Sequence, residues 1–284
     1  SLGVSKANVT TQTKVTAIGV RPISTGSQPT PTVTAAAAGS SSGGGSGSGG
    51  GGTPAPTTCA TGATCIVGDT GPGGGIVYYV DNAGFSCGSP RTVTCNYLEA
   101  APSGWNSGSS DPKKVWATGS GAGSNAVTGI VITTGSITVT SGGLNAGSQI
   151  GLGYENSVAI VNQGVVGSND TTTAAGAARG YAGGGKNDWY LPTTAELNLL
   201  CQWNHGVTQA VATVCAATAG TLNTGTGTSS NMAAAVASGF ALVSYWSSSE
   251  SNASDAWIQD FSSGSRGPLS KGFTLFYVRP IRAF

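Results

Sequence analysis

Apolar residues along this chain come in short bursts set into long runs of small and polar residues, and the bursts change period from one region to the next. Thr and Val alternate through residues 8–20, while Pro22, Pro29 and Pro31 exclude a helix, so residues 1–34 read as an extended β segment. Four alanines, a run of Gly and Ser, then Pro54 and Pro56 make residues 35–58 a linker, which as a flexible coil spans about 25 Å; an ordered polyglycine bundle between identical chains is the competing reading. Beyond it, the glycine-rich stretch 68–75 turns the chain directly into a strand at 76–80. A short strand follows at 97–102. Two Ile/Val/Thr runs around Thr134-Gly135-Ser136 read as an inserted hairpin over 130–140.

Helical spacing appears next. Ile150, Tyr154, Val158 and Val161 predict a helix over 149–163, followed by a shorter one over 173–179. Thr193 with Glu196 three residues later is a capping-box pattern, and it opens a third helix whose Leu197, Leu200 and Trp203 face inward. The period returns to that of strands at 245–250, 256–261 and 277–284, with 262–270 as a loop. Residues 59–284 are therefore expected to form one α+β domain with short mixed and antiparallel sheets and two or three helices, long enough to bury its own core.

Composition changes the picture of the surface. Charged residues make up only 8% of the chain, against roughly a quarter in an ordinary domain, so hydroxyls and backbone provide most of the solvation. Twelve cations and eleven anions are scattered; no basic stripe exists to hold nucleic acid or an anionic membrane, and no apolar run approaches a membrane span. The start at Ser1, without an initiator Met or signal peptide, predicts a chain that was processed or cut from something longer. Six cysteines fall as three close pairs: Cys59 and Cys65, Cys87 and Cys95, Cys201 and Cys215. Fifteen connectivities are possible; pairing by proximity is the expectation, and structural disulfides place the protein outside the cytoplasm.

Little in the sequence suggests catalysis or cofactor chemistry. His205 is the sole histidine, so no Ser-His-Asp set beyond it and no zinc-ligand spacing can be assembled. It reads as a packed or solvated loop residue. The glycine run precedes a strand, opens no helix and carries no Lys, so it reads as a turn, not a phosphate loop. Trp189, Trp246 and Trp257 read as core anchors, whereas Trp105 and Trp116 lie in a polar loop and are expected at the surface. Arg279 and Arg282 are expected to pair with Asp188, Glu196 or Glu250. No enzyme activity, cofactor or metal is predicted.

Several stretches together carry a resemblance. VGDTGPGGGIVYYV at 67–80, LEAAP at 98–102, GGKNDWYLPT at 184–193, ELN at 196–198, YWSSSE at 245–250 and VRPIRAF at 278–284 resemble, in family order, the successive blocks of the Lcl-type C-terminal domain of collagen-like bacterial adhesins. No collagen Gly-X-Y repeat precedes them. The resemblance implies a C-type-lectin-like fold related to the formylglycine-generating enzyme and to the variable proteins of diversity-generating retroelements. An oxidase of that first kind would need a cysteine pair near the terminal strands, and Cys215 is the last cysteine. In the retroelement-diversified relatives the variable residues lie in the terminal stretch. The resemblance thus implies that Asn252, Ser254, Asp255, Ile258, Asp260, Ser262, Ser265, Arg266, Leu269, Phe273, Leu275 and Phe276 point outward as a ligand-binding surface; for Phe273, Leu275 and Phe276 a core role in the last strand is the competing reading. The expected function is an extracellular adhesin or receptor-binding head, on a bacterial surface or a phage fibre, with a cell-surface glycan or protein as partner and identical subunits in a fibre or trimer as further partners. The alternatives are a structural fibre subunit and a calcium-dependent lectin, for which Asn187-Asp188-Trp189 is only a permuted echo of the expected motif.

Overall fold

The structure, a computed structural model, describes residues 58–118, 125–130, 149–163, 171–206, 209, 214–215, 240–272 and 274–284. All lie in the second of the two units into which the chain divides, Pro54–Phe284. The expected N-terminal segment, the linker up to residue 57, the expected hairpin beyond Ile130 and Phe273 fall outside the described residues.

The domain is α+β. Strands β1 (Ile76–Cys87), β2 (Val93–Ala100) and β8 (Ile281–Ala283) form one antiparallel sheet in the order β1-β2-β8. A second, mixed sheet has the order β3-β7-β4-β5-β6, built from β3 (Lys113–Lys114), β7 (Phe276–Tyr277), β4 (Ser244–Glu250), β5 (Asp255–Asp260) and β6 (Arg266–Ser270). Between the sheets in sequence come α1 (Gly153–Gln163), α2 (Ala174–Gly180) and α3 (Thr194–Asn204). Helix α3 packs against β1, β4 and β5, and α1 against α2 and β4.

Helix α3 starts where the capping box predicts. Thr193 Oγ1 accepts from the Glu196 amide at 3.2 Å, and the Thr193 amide donates to Glu196 Oε2 at 2.7 Å. Such a cap contributes about 1 kcal/mol. Leu197, Leu200 and Trp203 are buried as expected, but so is every other residue from Thr194 to Trp203, so α3 is a core helix with no solvated face. Helix α1 begins four residues later than the apolar spacing suggested. Gly151 adopts φ +85° and its amide donates to Glu196 Oε1 at 2.8 Å, which diverts the chain out of helical geometry. The inner face of α1 is Gly153, Asn156, Ser157 and Ile160 rather than the Tyr154, Val158, Val161 stripe, which is half-buried. Polar residues fit inside because Ser157 Oγ accepts from the Leu191 amide at 3.0 Å.

The glycine turn anchors the first sheet. The Gly73 and Gly75 amides donate to the Glu99 carboxylate at 2.9 and 3.3 Å, and Arg282 Nη1 meets the same carboxylate at 2.8 Å across the β2–β8 register. A Cβ on Gly73 would lie 2.5 Å from both Glu99 Oε1 and Trp189 Cζ2, so backbone approach demands glycine there. The turn therefore does cradle an anion, namely the domain's own buried carboxylate. Burial raises the Glu99 carboxyl above its ordinary value, and the contacts from Arg282, Gly73 and Gly75 only partly offset it.

The cysteines pair by proximity, Cys59–Cys65, Cys87–Cys95 and Cys201–Cys215. The second clamps the β1–β2 hairpin; the third secures residues 214–215 to α3. Trp189, Trp246 and Trp257 are core residues. Trp116 corrects the expectation of a surface position: it is fully buried, its Nε1 donates to the Ser247 carbonyl at 2.7 Å, and its amide donates to the Lys271 carbonyl. Its polar neighbours misled because this loop runs across the second sheet instead of into solvent.

Candidate ligand-binding surface

The eleven described residues of the predicted twelve do not form one patch. In the strand order β3-β7-β4-β5-β6, the residues of the β4–β5 turn, β5, the β5–β6 loop and β6 lie at one edge. Leu275 and Phe276 belong to β7 and its entry, three strand spacings or roughly 14 Å away.

At the first edge, Asn252 shapes the β4–β5 turn. Its Oδ1 accepts from the Ser254 and Asp255 amides at 2.8 and 2.9 Å, and its Nδ2 donates to Asp255 Oδ2 at 2.8 Å. Beneath the turn sits a fully buried ion pair, Lys271 with Glu250. Lys271 Nζ also donates to the Ala253 carbonyl at 2.8 Å and the Asn125 carbonyl at 3.2 Å, and lies 4.8 Å from the Trp116 ring centroid. Glu250 in turn accepts from the Val127 amide at 3.0 Å. Burial pushes Glu250 up and Lys271 down, each toward its neutral form, against their mutual attraction. The pair holds the turn that presents Asn252 and Ser254, both exposed.

Asp260 plays the same part in the β5–β6 loop. Its Oδ1 accepts from the Ser262 and Ser263 amides at 2.8 and 2.9 Å, and its Oδ2 from the Ser244 hydroxyl at 2.9 Å. Burial alone would raise this carboxyl; the hydrogen bonds from Ser262, Ser244 and Ser263 outweigh it and hold Asp260 below the usual value. Gln259 Nε2 supports the loop from inside through the Gly264 carbonyl at 2.8 Å. Asp260 and Asp255 are thus half-buried scaffold, while Ser265 is exposed at the loop and Leu269 on the strand.

Two corrections follow. Residues 266–270, read as loop, form β6, paired with β5 through Ala256–Leu269 and Gln259–Arg266. Gly267 and Pro268 hid it from the sequence, yet proline suits an edge strand, where one missing N–H costs no ladder bond. Ile258 does not point outward; it is buried beside Trp246 and Ala256. Strand β5 is covered on both faces, so Trp257 and Ile258 are both inside and alternation no longer separates in from out. Phe276 is half-buried with its ring edge-on to Trp246 at 5.0 Å, as the competing reading had it, whereas Leu275 is 54% exposed.

The arginines are structural. Arg282 bridges Glu99 and Asp188, the latter as expected. Arg279 pairs with Asp111 at 2.7 Å, a partner not anticipated; Glu250 serves Lys271, and Glu196 serves the backbone of Gly151 and Thr193 and the Tyr190 hydroxyl. His205 caps α3 with its Nε2 2.6 Å from the Phe261 carbonyl, which can only accept, so Nε2 carries the proton. Cys201, His205 and Cys215 bring their ligand atoms within 4.8 Å of one another, but both sulfurs are spent in the disulfide. Among the described residues no helix is long and apolar enough to cross a membrane.

Residues 148–282 match the family profile of the Lcl C-terminal domain. No curated protein and no solved structure gives a significant match. The matched region contains α1 to α3 and β4 to β7 and leaves out the glycine turn and Glu99, whereas Arg282, which pairs with Glu99, is its last residue. The region from 148 to 282 therefore belongs to the Lcl C-terminal domain family.

Proposed function

We propose that this chain is an extracellular recognition head, adhesin-like and of C-type-lectin-like architecture, which attaches to a cell-surface glycan or protein through the loops of its terminal strands. Membership of the Lcl family supports an adhesin-like role, and three disulfides suit an oxidising, extracellular setting. The observation that carries the reading is the contrast at the β5–β6 edge. A buried glutamate, a buried lysine, a buried glutamine and the half-buried Asp260 fix the turns from below, while Asn252, Ser254, Ser265 and Leu269 stand exposed above them. A rigid base under small polar side chains and a single apolar one suits recognition, because little ordering entropy remains to be lost on binding. Pro268 in the edge strand disfavours strand addition, so side chains do the reading.

The test is a triple variant, Arg266→Ala, Leu269→Ser and Leu275→Ser, chosen to spare the Phe276–Trp246 contact. Attachment to the native target surface should fall by more than tenfold with the thermal midpoint unchanged. Full attachment by this variant would contradict the reading and favour a structural fibre subunit.

A further inference from the structure

A second site lies at the opposite edge of the same sheet, in a cleft of about 400 Å³ lined by Trp105, Asn106, Ser107, Lys114, Thr171 and Tyr181, among others. Its size is at the small end of small-molecule sites. The rings of Trp105 and Tyr181 meet at 5.5 Å and 73°, forming an aromatic corner. Neither ring is fully buried, yet both are fixed. Trp105 Nε1 donates to Asp111 Oδ1 at 2.7 Å, and Asp111 is itself held by Arg279 and by the Tyr245 hydroxyl at 2.8 Å. Tyr181 packs against the core residue Trp189, the rings tilted at 57° with centroids 4.9 Å apart. A partly exposed tryptophan tied to a buried ionic hub is preorganised in a way that a loop tryptophan without a task would not need.

Two further observations point to a ligand. Ser107 has φ +54°, which among the described residues no other non-glycine side chain matches, and such strain persists where function requires a geometry. Among the described residues, the side chains of Asn106, Ser107, Lys114 and Thr171 make no hydrogen bond or ion pair with the protein, so their donors and acceptors are open to a ligand in the cleft. The cleft thus offers an aromatic corner, the hydroxyls of Ser107, Thr171 and Tyr181, one amide and one ammonium, with no carboxylate among its lining residues. A metal ion would lack its oxygen ligands, and a polyanion would meet one cation only. An aromatic face beside hydroxyl-matching donors suits a ring that is apolar on one face and hydroxylated at its rim. We infer that the Trp105–Tyr181 cleft binds a neutral pyranose unit of a glycan.

The test uses the full chain and methyl glycosides of neutral hexoses and N-acetylhexosamines at millimolar concentration, read by saturation-transfer NMR and by the Trp105 indole resonance. At least one glycoside should receive saturation at its ring C–H protons and shift that resonance, with no change on adding a chelator. The double variant Asn106→Ala and Lys114→Met, which removes half-buried side chains that make no hydrogen bond or ion pair among the described residues, should weaken that binding about tenfold and leave the thermal midpoint unchanged. Tyr181→Ala should abolish it, and the β6–β7 variant Arg266→Ala, Leu269→Ser, Leu275→Ser should not alter it, which separates this site from the surface proposed above. No transfer to any neutral glycoside, transfer only to a methyl glucuronide, or undiminished binding by the double variant would each overturn the assignment.

Discussion

Replacing Lys271 by Met isolates the buried ion pair beneath the β4–β5 turn. Both partners are wholly inaccessible, so the loss of the ammonium leaves the Glu250 carboxylate with the Val127 amide as its remaining donor and strips the Ala253 and Asn125 carbonyls of theirs. Removing one member of such a pair costs about 3–5 kcal/mol, or roughly 10 °C in thermal midpoint for a domain of this size. Burial drives both groups toward neutrality, so the pair gains little over a neutral replacement. Lys271→Met combined with Glu250→Gln should therefore lose less than about 2 kcal/mol, because Gln can donate to a stranded carbonyl and no charge is left unpaired. Urea unfolding under non-reducing conditions of wild type, both single variants and the double variant closes the cycle. A single-variant loss under about 1 kcal/mol, or a double variant as unstable as the sum of the singles, would refute the reasoning.

Two other outcomes follow from the buried carboxylates. Burial, only partly offset by bonds from Thr193, Gly151 and Tyr190, raises Glu196 from 4.5 to about 7, so the folded state holds this proton more tightly than the unfolded one. Its stabilisation, on the order of 3 kcal/mol, is complete below pH about 4.5 and lost as pH rises through about 7. The urea midpoint should drop over that interval, and Glu196→Gln should flatten the profile. Gly73→Ala should lower the thermal midpoint by several degrees or abolish folding, since its Cβ meets Glu99 and Trp189 at 2.5 Å; an unchanged melting curve would show that the turn does not seat Glu99.

What could be read from the sequence was set by local signals. The Thr193–Glu196 cap, the three cysteine pairs and the core tryptophans of β4 and β5 each declare themselves within a few residues. Long-range partnerships did not. Asp111 reveals no link to Arg279, Tyr245 and Trp105 until the fold joins residues 105 to 279, and Trp116 looked solvated because its covering residues, Ser247 and Lys271, lie over 130 positions away. Ile258 failed for a different reason: β5 is covered on both faces, so no period marks which side faces out. Of the candidate surface, Asn252, Ser254, Ser265, Leu269 and Leu275 are exposed, while Asp255 and Asp260 hold the turns. The aromatic cleft had one visible clue, a tryptophan in a polar loop; Tyr181 and Lys114 reach it only through the tertiary structure.

Attachment through the terminal loops is tested most directly by hydroxyl-radical footprinting of the chain bound to its native target surface and free in solution. Binding as proposed predicts that Leu269 and Leu275, 39% and 54% exposed, lose most of their oxidation on attachment, while Ile66 and Val93 on the first sheet and its approach, also exposed at 66% and 57%, keep theirs. Protection of Ile66 and Val93 with Leu269 and Leu275 still oxidised would contradict it.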